Sequence, residues 1–186
     1  MPEHASLYAD ILILANLQSG PQHGYDIKKR IERFLGGSVP MNNKVLYPTL
    51  KRFEEMGALQ RTVQRQEGKP DRHVYQLTER GAEILQALLR EFPPELAGND
   101  AEFYTRLAFF HLLEPEARLE ILLTRIDRVT AKLAYLRDMR TLASADQVMS
   151  FAQRVLEFHE RRARHELAWL GELVEDTRTL AERAKS

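Results

Sequence analysis

Three consecutive polar residues, Asn42, Asn43 and Lys44, carry side chains that can read the edges of DNA bases. An asparagine can make two hydrogen bonds to adenine, and a lysine can reach the acceptor atoms of guanine. Lys51 and Arg52 follow on the same segment, and their positive charges suit contacts with phosphate oxygens. Together these residue types point to nucleic-acid binding, provided that one element presents them side by side.

The histidines of the chain form no catalytic or metal-binding motif. His159 is followed by Glu160, but the next histidine is His165, whereas an H-E-x-x-H zinc site needs the second histidine four residues after the first. The chain has no cysteine, and it contains no nucleophile elbow, phosphate-binding loop or dinucleotide-binding glycine pattern. We therefore expect no enzyme, no catalytic residue, no bound metal and no cofactor.

The composition is that of a globular protein whose positive charge is concentrated in one half. The 186 residues are 44% hydrophobic and 29% charged, and 27 Lys and Arg balance 27 Asp and Glu, which excludes a strongly basic chain. Residues 28–80 nevertheless contain 12 basic and 6 acidic residues, whereas residues 91–186 contain 14 and 17. Such a basic region either attracts a phosphate backbone or is an ordinary solvated surface. The mean hydropathy of −0.42, and the lack of a signal peptide or a 20-residue apolar run, predict a cytoplasmic protein.

Residues 7–92 predict three helices, a β-hairpin and a fourth helix. The apolar run 7–17 predicts a buried helix, and the amphipathic stretch 24–35 predicts a second. Asn42 or Asn43 can cap a third helix over about 44–56. Residues 59–65 and 73–77 read as two strands with Val63, Tyr75 and Leu77 facing inward. Thr78 can cap the last helix, which ends at Pro93-Pro94. Helices followed by a hairpin in this order predict a winged helix-turn-helix.

After Asn99 the pattern contains helix signals alone. Apolar residues recur at gaps of three and four from Leu119 to Leu136, and the last helix could reach about 55 Å. A second copy of the chain is the natural partner for a helix of that length. The predicted dimerisation residues are Leu119, Leu122, Ile126, Val129, Leu133, Val155, Phe158, Leu170 and Leu173.

The predicted fold class is therefore mainly α, with an N-terminal winged helix-turn-helix followed by an all-α dimerisation domain of long helices. We place a winged-helix DNA-binding domain at 1–92, a linker at 93–99 and a helical dimerisation and effector domain at 100–186.

Three sequence blocks in the first half resemble the PadR family of bacterial transcription regulators. They are HGYDI at 23–27, VLYPTLKRFEEMG at 45–57 and YQLTERG at 75–81. They match the start of helix two, the third helix and the exit from the wing in that family, in the same order. The resemblance to the DNA-binding module covers roughly residues 7–90. The layout of the second half is similar to the longer branch of the family, in which an all-helical domain dimerises.

The resemblance implies that the first turn of the third helix enters the major groove. It marks Tyr47 as facing DNA and Tyr25 as contacting a phosphate; the alternative for each is a ring that packs within the protein. The cationic wing tip reaches the backbone or the minor groove, unless it is simply a solvated hairpin end. The predicted DNA contacts are Tyr25, Asn42, Asn43, Lys44, Tyr47, Thr49, Lys51, Arg52, Arg65, Lys69 and Arg72.

The family also implies a function and an effector. We expect a repressor that binds double-stranded DNA at a palindromic operator as a homodimer, because one module makes too few contacts for tight specific binding. Some members bind phenolic or other aromatic compounds, so Phe110, His111 and Trp169 are candidate effector contacts, with a role in the core as the alternative. A helical adaptor that does not bind DNA is the alternative function.

Overall fold

The computed structural model describes residues 7–33, 41–66, 69–143 and 150–185. Its helices are α1 (Leu7–Leu17), α2 (Gly24–Arg33), α3 (Asn43–Glu55), α4 (Glu79–Arg90), α5 (Asp100–Ala108), α6 (Pro115–Ala143) and α7 (Ser150–Lys185). Its strands are β1 (Gln22–His23), β2 (Leu59–Gln66) and β3 (Lys69–Leu77), and two short 3-10 turns span Leu96–Gly98 and Phe110–Leu112. The predicted fold class, a winged helix followed by further helices, is confirmed. Within the described ranges, no helix is both long and apolar enough to cross a membrane.

The contacts divide the chain into two compact units. One unit comprises the chain up to Glu91 together with Asp100–Leu113, and the other comprises Phe92–Asn99 with everything from Glu114 onward. This division does not coincide with the boundaries expected at 92 and 99, because α5 packs on α1 rather than continuing into the long helices.

Helix α1 is the core of the first unit. Ile11, Leu12, Ile13 and Leu14 are fully buried, which four consecutive residues can be only when a helix is covered on every side. Helices α2, α3, α4 and α5 all contact it. The prediction of a buried helix over 7–17 is confirmed.

Helix α3 begins and ends at residues whose side chains suit those positions. The Asn42 side chain accepts a hydrogen bond from the Val45 amide at 3.0 Å, which confirms Asn42 as the N-cap. At the other end Gly57 adopts a positive φ of 72°. The Ala58 amide then donates to the Phe53 carbonyl at 2.8 Å, which completes a Schellman turn and sends the chain into β2.

The wing is a three-stranded antiparallel sheet with the order β1-β3-β2. Arg61 pairs with Tyr75 in the hairpin, and the two-residue strand β1 adds Gln22 opposite Tyr75 on the other edge. The sequence did not predict β1, which joins the start of α2 to the wing. Val63 was expected to face inward, but it is 51% exposed, so that expectation was wrong.

Thr78 links the wing to α4 and to the end of α3. Its hydroxyl accepts from the Gly81 amide at 3.1 Å, confirming the predicted cap, and lies 2.8 Å from the Gly57 carbonyl. A Cβ at Gly81 would lie 2.2 Å from the Ala58 carbonyl oxygen, so only glycine permits this approach.

Helix α5 is fixed to the first unit through a buried ion pair. Arg106 donates to Glu102 at 2.6 Å and to the carbonyls of Leu88 and Glu91 at 3.2 and 2.8 Å. The other end of the pair reaches α1, since Glu102 accepts from the Tyr8 amide at 3.1 Å. Burial lowers the pKa of Arg106 and Glu102 partly offsets that effect, yet the group stays a cation at neutral pH.

The second unit is built on α6 and α7, which pack against each other. Arg125 donates to Glu166 of α7 and to the Ala97 carbonyl, the latter at 2.7 Å. Nearer the connection, Arg140 lies 2.8 Å from the buried carboxylate of Glu160. The later residue of α6, Arg140, thus pairs with the earlier residue of α7, Glu160, so the two helices are antiparallel.

Candidate nucleic-acid interface

Helix α3 presents one polar face to solvent and anchors the opposite face in the core. Leu46 and Leu50 are fully buried. Lys44, Tyr47 and Lys51 lie on the outward side at spacings of three and four, and all three are exposed. Because the buried side fixes the rotation of the helix, these side chains share one direction.

The charges on this face are available to a ligand. Lys44 has no ion-pair partner among the described residues. Lys51 lies 3.6 Å from Glu55, but both side chains are largely exposed, and an exposed pair one helical turn apart is worth only about 0.3–0.5 kcal/mol. An incoming phosphate can therefore compete for Lys51.

Other predicted contacts on α3 have different roles. Asn43 is exposed, but the Asn42 side-chain oxygen is used in capping the helix. Thr49 is only 9% exposed, because it lies on the side of α3 that packs into the core, so its assignment as a DNA contact is corrected.

Arg52 has a structural partner that the sequence analysis did not assign. Its Nη2 donates to Asp10 Oδ1 on α1 at 2.5 Å, and its guanidinium lies 4.9 Å from the centre of the Phe53 ring. Burial raises the pKa of Asp10 and Arg52 partly opposes that rise. Arg52 thus helps to hold α3 in place, but its side chain is still 44% exposed, so the phosphate contact stays a prediction.

Two tyrosines stand beside α3. Tyr25, in the first turn of α2, is 67% exposed, and Tyr47 is 46% exposed. The Tyr47 ring packs across Gly24, since a Cβ built there would lie 3.1 Å from Tyr47 Cε1. One side of the Tyr47 ring therefore packs within the protein and the rest faces solvent, and its contact with DNA stays a prediction.

The start of α2, α3 and β3 together enclose a cavity of about 490 Å³. Tyr75 forms part of its wall, and burial raises the pKa of that side chain. The complete lining is His23, Gly24, Tyr25, Asp26, Tyr47, Arg72, His73 and Tyr75.

The wing contributes Arg72, which is exposed. The side chains of the other two predicted wing contacts, Arg65 and Lys69, lie outside the described residues, so their DNA contacts stay predictions.

The residues predicted to make dimer contacts divide into three groups. Leu122, Val129, Leu133 and Leu170 are buried within a single chain, where they form the interior between α6 and α7, so their assignment to a dimer surface is corrected. Leu119, Ile126 and Leu173 are half-buried. Val155 and Phe158 are exposed, and Phe151 extends their stripe along α7 at helical spacing.

The predicted effector contacts are divided between the units. Phe110 and His111 form a 3-10 turn of the first unit, whereas Trp169 belongs to α7 in the second. Among the described residues, no three His, Asp or Glu side chains lie together as a metal ion would require.

Two residues of the site were not predicted, although the sequence contains an indication of each. Asp10 is the one charge in the apolar run 7–17, and a lone carboxylate in a buried helix calls for a cationic partner. Gly24 is part of the HGYDI block, where its lack of a side chain makes room for the Tyr47 ring.

Comparison with known proteins gives one family match. A family model described as the transcriptional regulator PadR-like family matches residues 13–87. No curated protein matches the chain significantly.

Several solved structures are similar to the chain. PadR of Bacillus subtilis in complex with operator DNA is 23% identical over 90% of this chain and 98% of that one, with a TM-score of 0.44. The protein smu.1604c from Streptococcus mutans UA159 is 22% identical over 89% and 98%, with a TM-score of 0.42. From the same organism, smu.1704 is 31% identical over 47% and 79%, with a TM-score of 0.38.

The family match covers the winged helix from within α1 to within α4. All three sequence blocks and the outward face of α3 lie inside that segment. Residues 13–87 therefore match the PadR-like family of transcriptional regulators.

Proposed function

We propose that the chain is a homodimeric repressor that binds double-stranded DNA sequence-specifically, with α3 in the major groove. The observation that carries the proposal is the outward face of Lys44, Tyr47 and Lys51, on a helix whose rotation is fixed by its buried side. An α-helix of about 10–12 Å diameter fits the major groove, which is about 12 Å wide.

The surrounding residues favour the same orientation. Tyr25 and Arg72 are exposed and line the same cavity as Tyr47 of α3, so they are candidates for contact with the sugar-phosphate backbone when α3 lies in the groove. Beside this face, Arg52 pairs with Asp10 and keeps 44% of its side chain exposed.

Dimerisation through α7 is part of the proposal. Phe151, Val155 and Phe158 form an exposed apolar stripe in the first turns of that helix. Contiguous exposed apolar surface of this kind favours contact with another protein surface. A second copy of the chain would double the DNA contacts and match a palindromic operator.

Release by a small aromatic or phenolic effector stays a prediction. Phe110 and His111 belong to one unit and Trp169 to the other, so the proposal assigns them no common site.

The test starts from the full chain and a pool of random duplexes, from which bound sequences are selected. Affinity for the selected duplex is then measured by fluorescence anisotropy at several salt concentrations. Lys51→Ala should weaken binding to all duplexes alike and reduce the salt slope by about one unit, whereas Lys44→Ala should change which sequence is preferred. Lys132→Ala, which removes an exposed lysine of α6, is the control and should bind as the parent does.

Two results would contradict the proposal. An affinity for duplexes that does not depend on salt concentration would argue against DNA binding and would favour the helical adaptor. If the selected duplexes shared no common sequence, the proposal of sequence-specific binding would be wrong. Transcription from a promoter that carries the selected sequence should fall when the protein is added; a rise would replace repression with activation.

A further inference from the structure

The cavity of about 490 Å³ beside α3 has the size and chemistry of a small-molecule site. Ligand cavities in proteins usually have about 300–1,000 Å³, with apolar and aromatic walls and a few polar groups. All its lining residues belong to the first unit, so the site is complete within one chain.

Three tyrosine rings form the apolar part of the cavity. Tyr75 is almost fully buried, whereas Tyr25 and Tyr47 keep large exposed fractions. Exposed tyrosine rings offer flat faces on which another aromatic ring can stack. The walls therefore favour a ligand that contains a planar ring.

Cationic and donor groups line another part of the cavity. The Arg72 side chain has no hydrogen-bond or ion-pair partner among the described residues. The ten-residue helix α2 begins at Gly24, and its first-turn amides have no acceptors within the helix. A guanidinium beside the N-terminal end of a helix, where the helix dipole is positive, suits an anionic group such as a phosphate.

The remaining polar groups of the cavity favour a ligand that also carries hydrogen-bond donors. Asp26 is a carboxylate, which accepts hydrogen bonds and would repel an anion placed directly beside it. His23 Nδ1 is buried and has no hydrogen-bond partner within the part of the chain that the structure describes. Hydroxyl or amino groups on the ligand would add hydrogen bonds to Asp26, whose carboxylate is exposed at the edge of the cavity.

We infer that this cavity binds one nucleoside monophosphate unit, whose base stacks on Tyr25 and Tyr47 while its phosphate pairs with Arg72. A nucleotide combines an aromatic ring, a phosphate, and hydroxyl and amino donors that Asp26 can accept. The unit is either a free mononucleotide or an unpaired nucleotide of a single strand, since both present this chemistry. Tyr25, Tyr47 and Arg72 also belong to the proposed duplex-DNA interface, so the nucleotide and duplex DNA would compete for them. Binding of a mononucleotide is measured without duplex, and it can fail while duplex binding holds.

Direct binding to the full chain, measured by isothermal titration calorimetry with AMP and GMP, tests the inference. Ribose 5-phosphate, which lacks the ring, and adenosine, which lacks the phosphate, should each bind at least about tenfold more weakly. Tyr25→Ala and Arg72→Ala should each lower the affinity for the better nucleotide about tenfold. Tyr135→Ala and Arg137→Ala on α6 are matched controls at exposed positions and should change nothing.

A second measurement locates the ligand without any substitution. The imidazole signals of His23 and His73 should shift on titration with the nucleotide in an NMR experiment, whereas those of His111, His159 and His165 should not. Comparing AMP with a short single-stranded oligoadenylate separates the two sources. Equal affinities indicate a free mononucleotide, and a clear advantage of the oligonucleotide indicates a strand.

Three outcomes would overturn the inference. The first is the absence of binding by both mononucleotides at millimolar concentrations. The second is equal binding of ribose 5-phosphate and the nucleotide. The third is binding that shifts signals of α7 histidines and leaves His23 and His73 unchanged.

Discussion

Arg52 Nη2 lies 2.5 Å from Asp10 Oδ1 and ties the outward-facing helix α3 to the buried helix α1. The Asp10 side chain is only 8% exposed, so the carboxylate is held away from water by the core of the first unit. A charge in such a position is tolerated because the guanidinium lies directly against it. The pair therefore helps to fix the position of α3. The protonation state of Asp10 should then affect the stability of the first unit.

Replacing Asp10 by Asn should change how stability depends on pH. Burial raises the pKa of Asp10 above its ordinary 3.8, so the folded chain binds this proton more tightly than the unfolded chain does. Its contribution to the free energy of unfolding must then fall as the pH rises from about 4 through the raised pKa, and stay constant above it. Urea unfolding of parent and Asp10→Asn over that range should show this difference. A contribution that grows with pH would mean that Arg52 outweighs burial.

Replacing Gly81 by Ala should destabilise the first unit. The new Cβ would lie 2.2 Å from the Ala58 carbonyl oxygen, which is backbone and cannot move without disturbing the turn between α3 and β2. We expect a loss of about 1–3 kcal/mol in the free energy of unfolding. Gly171→Ala is the matched control in α7, where nothing lies within 4 Å, and should stabilise by about 0.5–1 kcal/mol. Equal effects on thermal unfolding of the two variants would contradict the close approach at Gly81.

A fragment ending at residue 113 should be more stable than one ending at 95. The shorter fragment lacks α5, and with it the fully buried Phe103 and the Arg106 hydrogen bonds to the end of α4. Burial of one phenylalanine is worth about 1.5–3 kcal/mol. Thermal unfolding followed by circular dichroism should give the longer fragment the higher midpoint. Identical midpoints would show that α5 adds nothing to the first unit.

Replacing Phe158 by Glu should weaken association of two chains. The side chain is 61% exposed in the single chain and lies in the apolar stripe of α7, so a charge there would be buried without a partner in the proposed dimer. Light scattering coupled to gel filtration should show the molar mass moving from two chains toward one as the protein is diluted. Leu142→Glu, at an exposed apolar position of α6, is the control and should keep the parent mass. A parent that is already monomeric would refute the dimer.

Local signals predicted the first unit well. Asn42 and Thr78 are helix caps in the structure as in the prediction, and Gly57 ends α3, because each effect depends on the residue itself and its near neighbours. Strand β1 could not be predicted, since two residues carry no periodicity and their pairing with Val74 and Tyr75 lies some fifty residues away.

Several residues were wrongly assigned to the dimer surface, because periodicity shows that a helix face is buried but not which helix covers it. A stripe such as Leu122, Val129 and Leu133 predicts burial, but it does not say whether the covering helix belongs to the same chain or another; here it is α7 of the same chain. Thr49 was misplaced for a related reason: it precedes Leu50 at the edge of the buried side of α3, and a residue at such an edge can face either the core or solvent.

The polypeptide passes between its two compact units three times, after Glu91, Asn99 and Leu113. A protease that cut either of the first two crossings would not release an intact unit. After a cut near residue 92, for example, the larger piece would carry α5, which stays bound to α1 and α4 through Glu102 and Arg106. The two pieces should therefore migrate together in native gels and separate only in denaturant, so an undisturbed native band is no proof of an uncut chain.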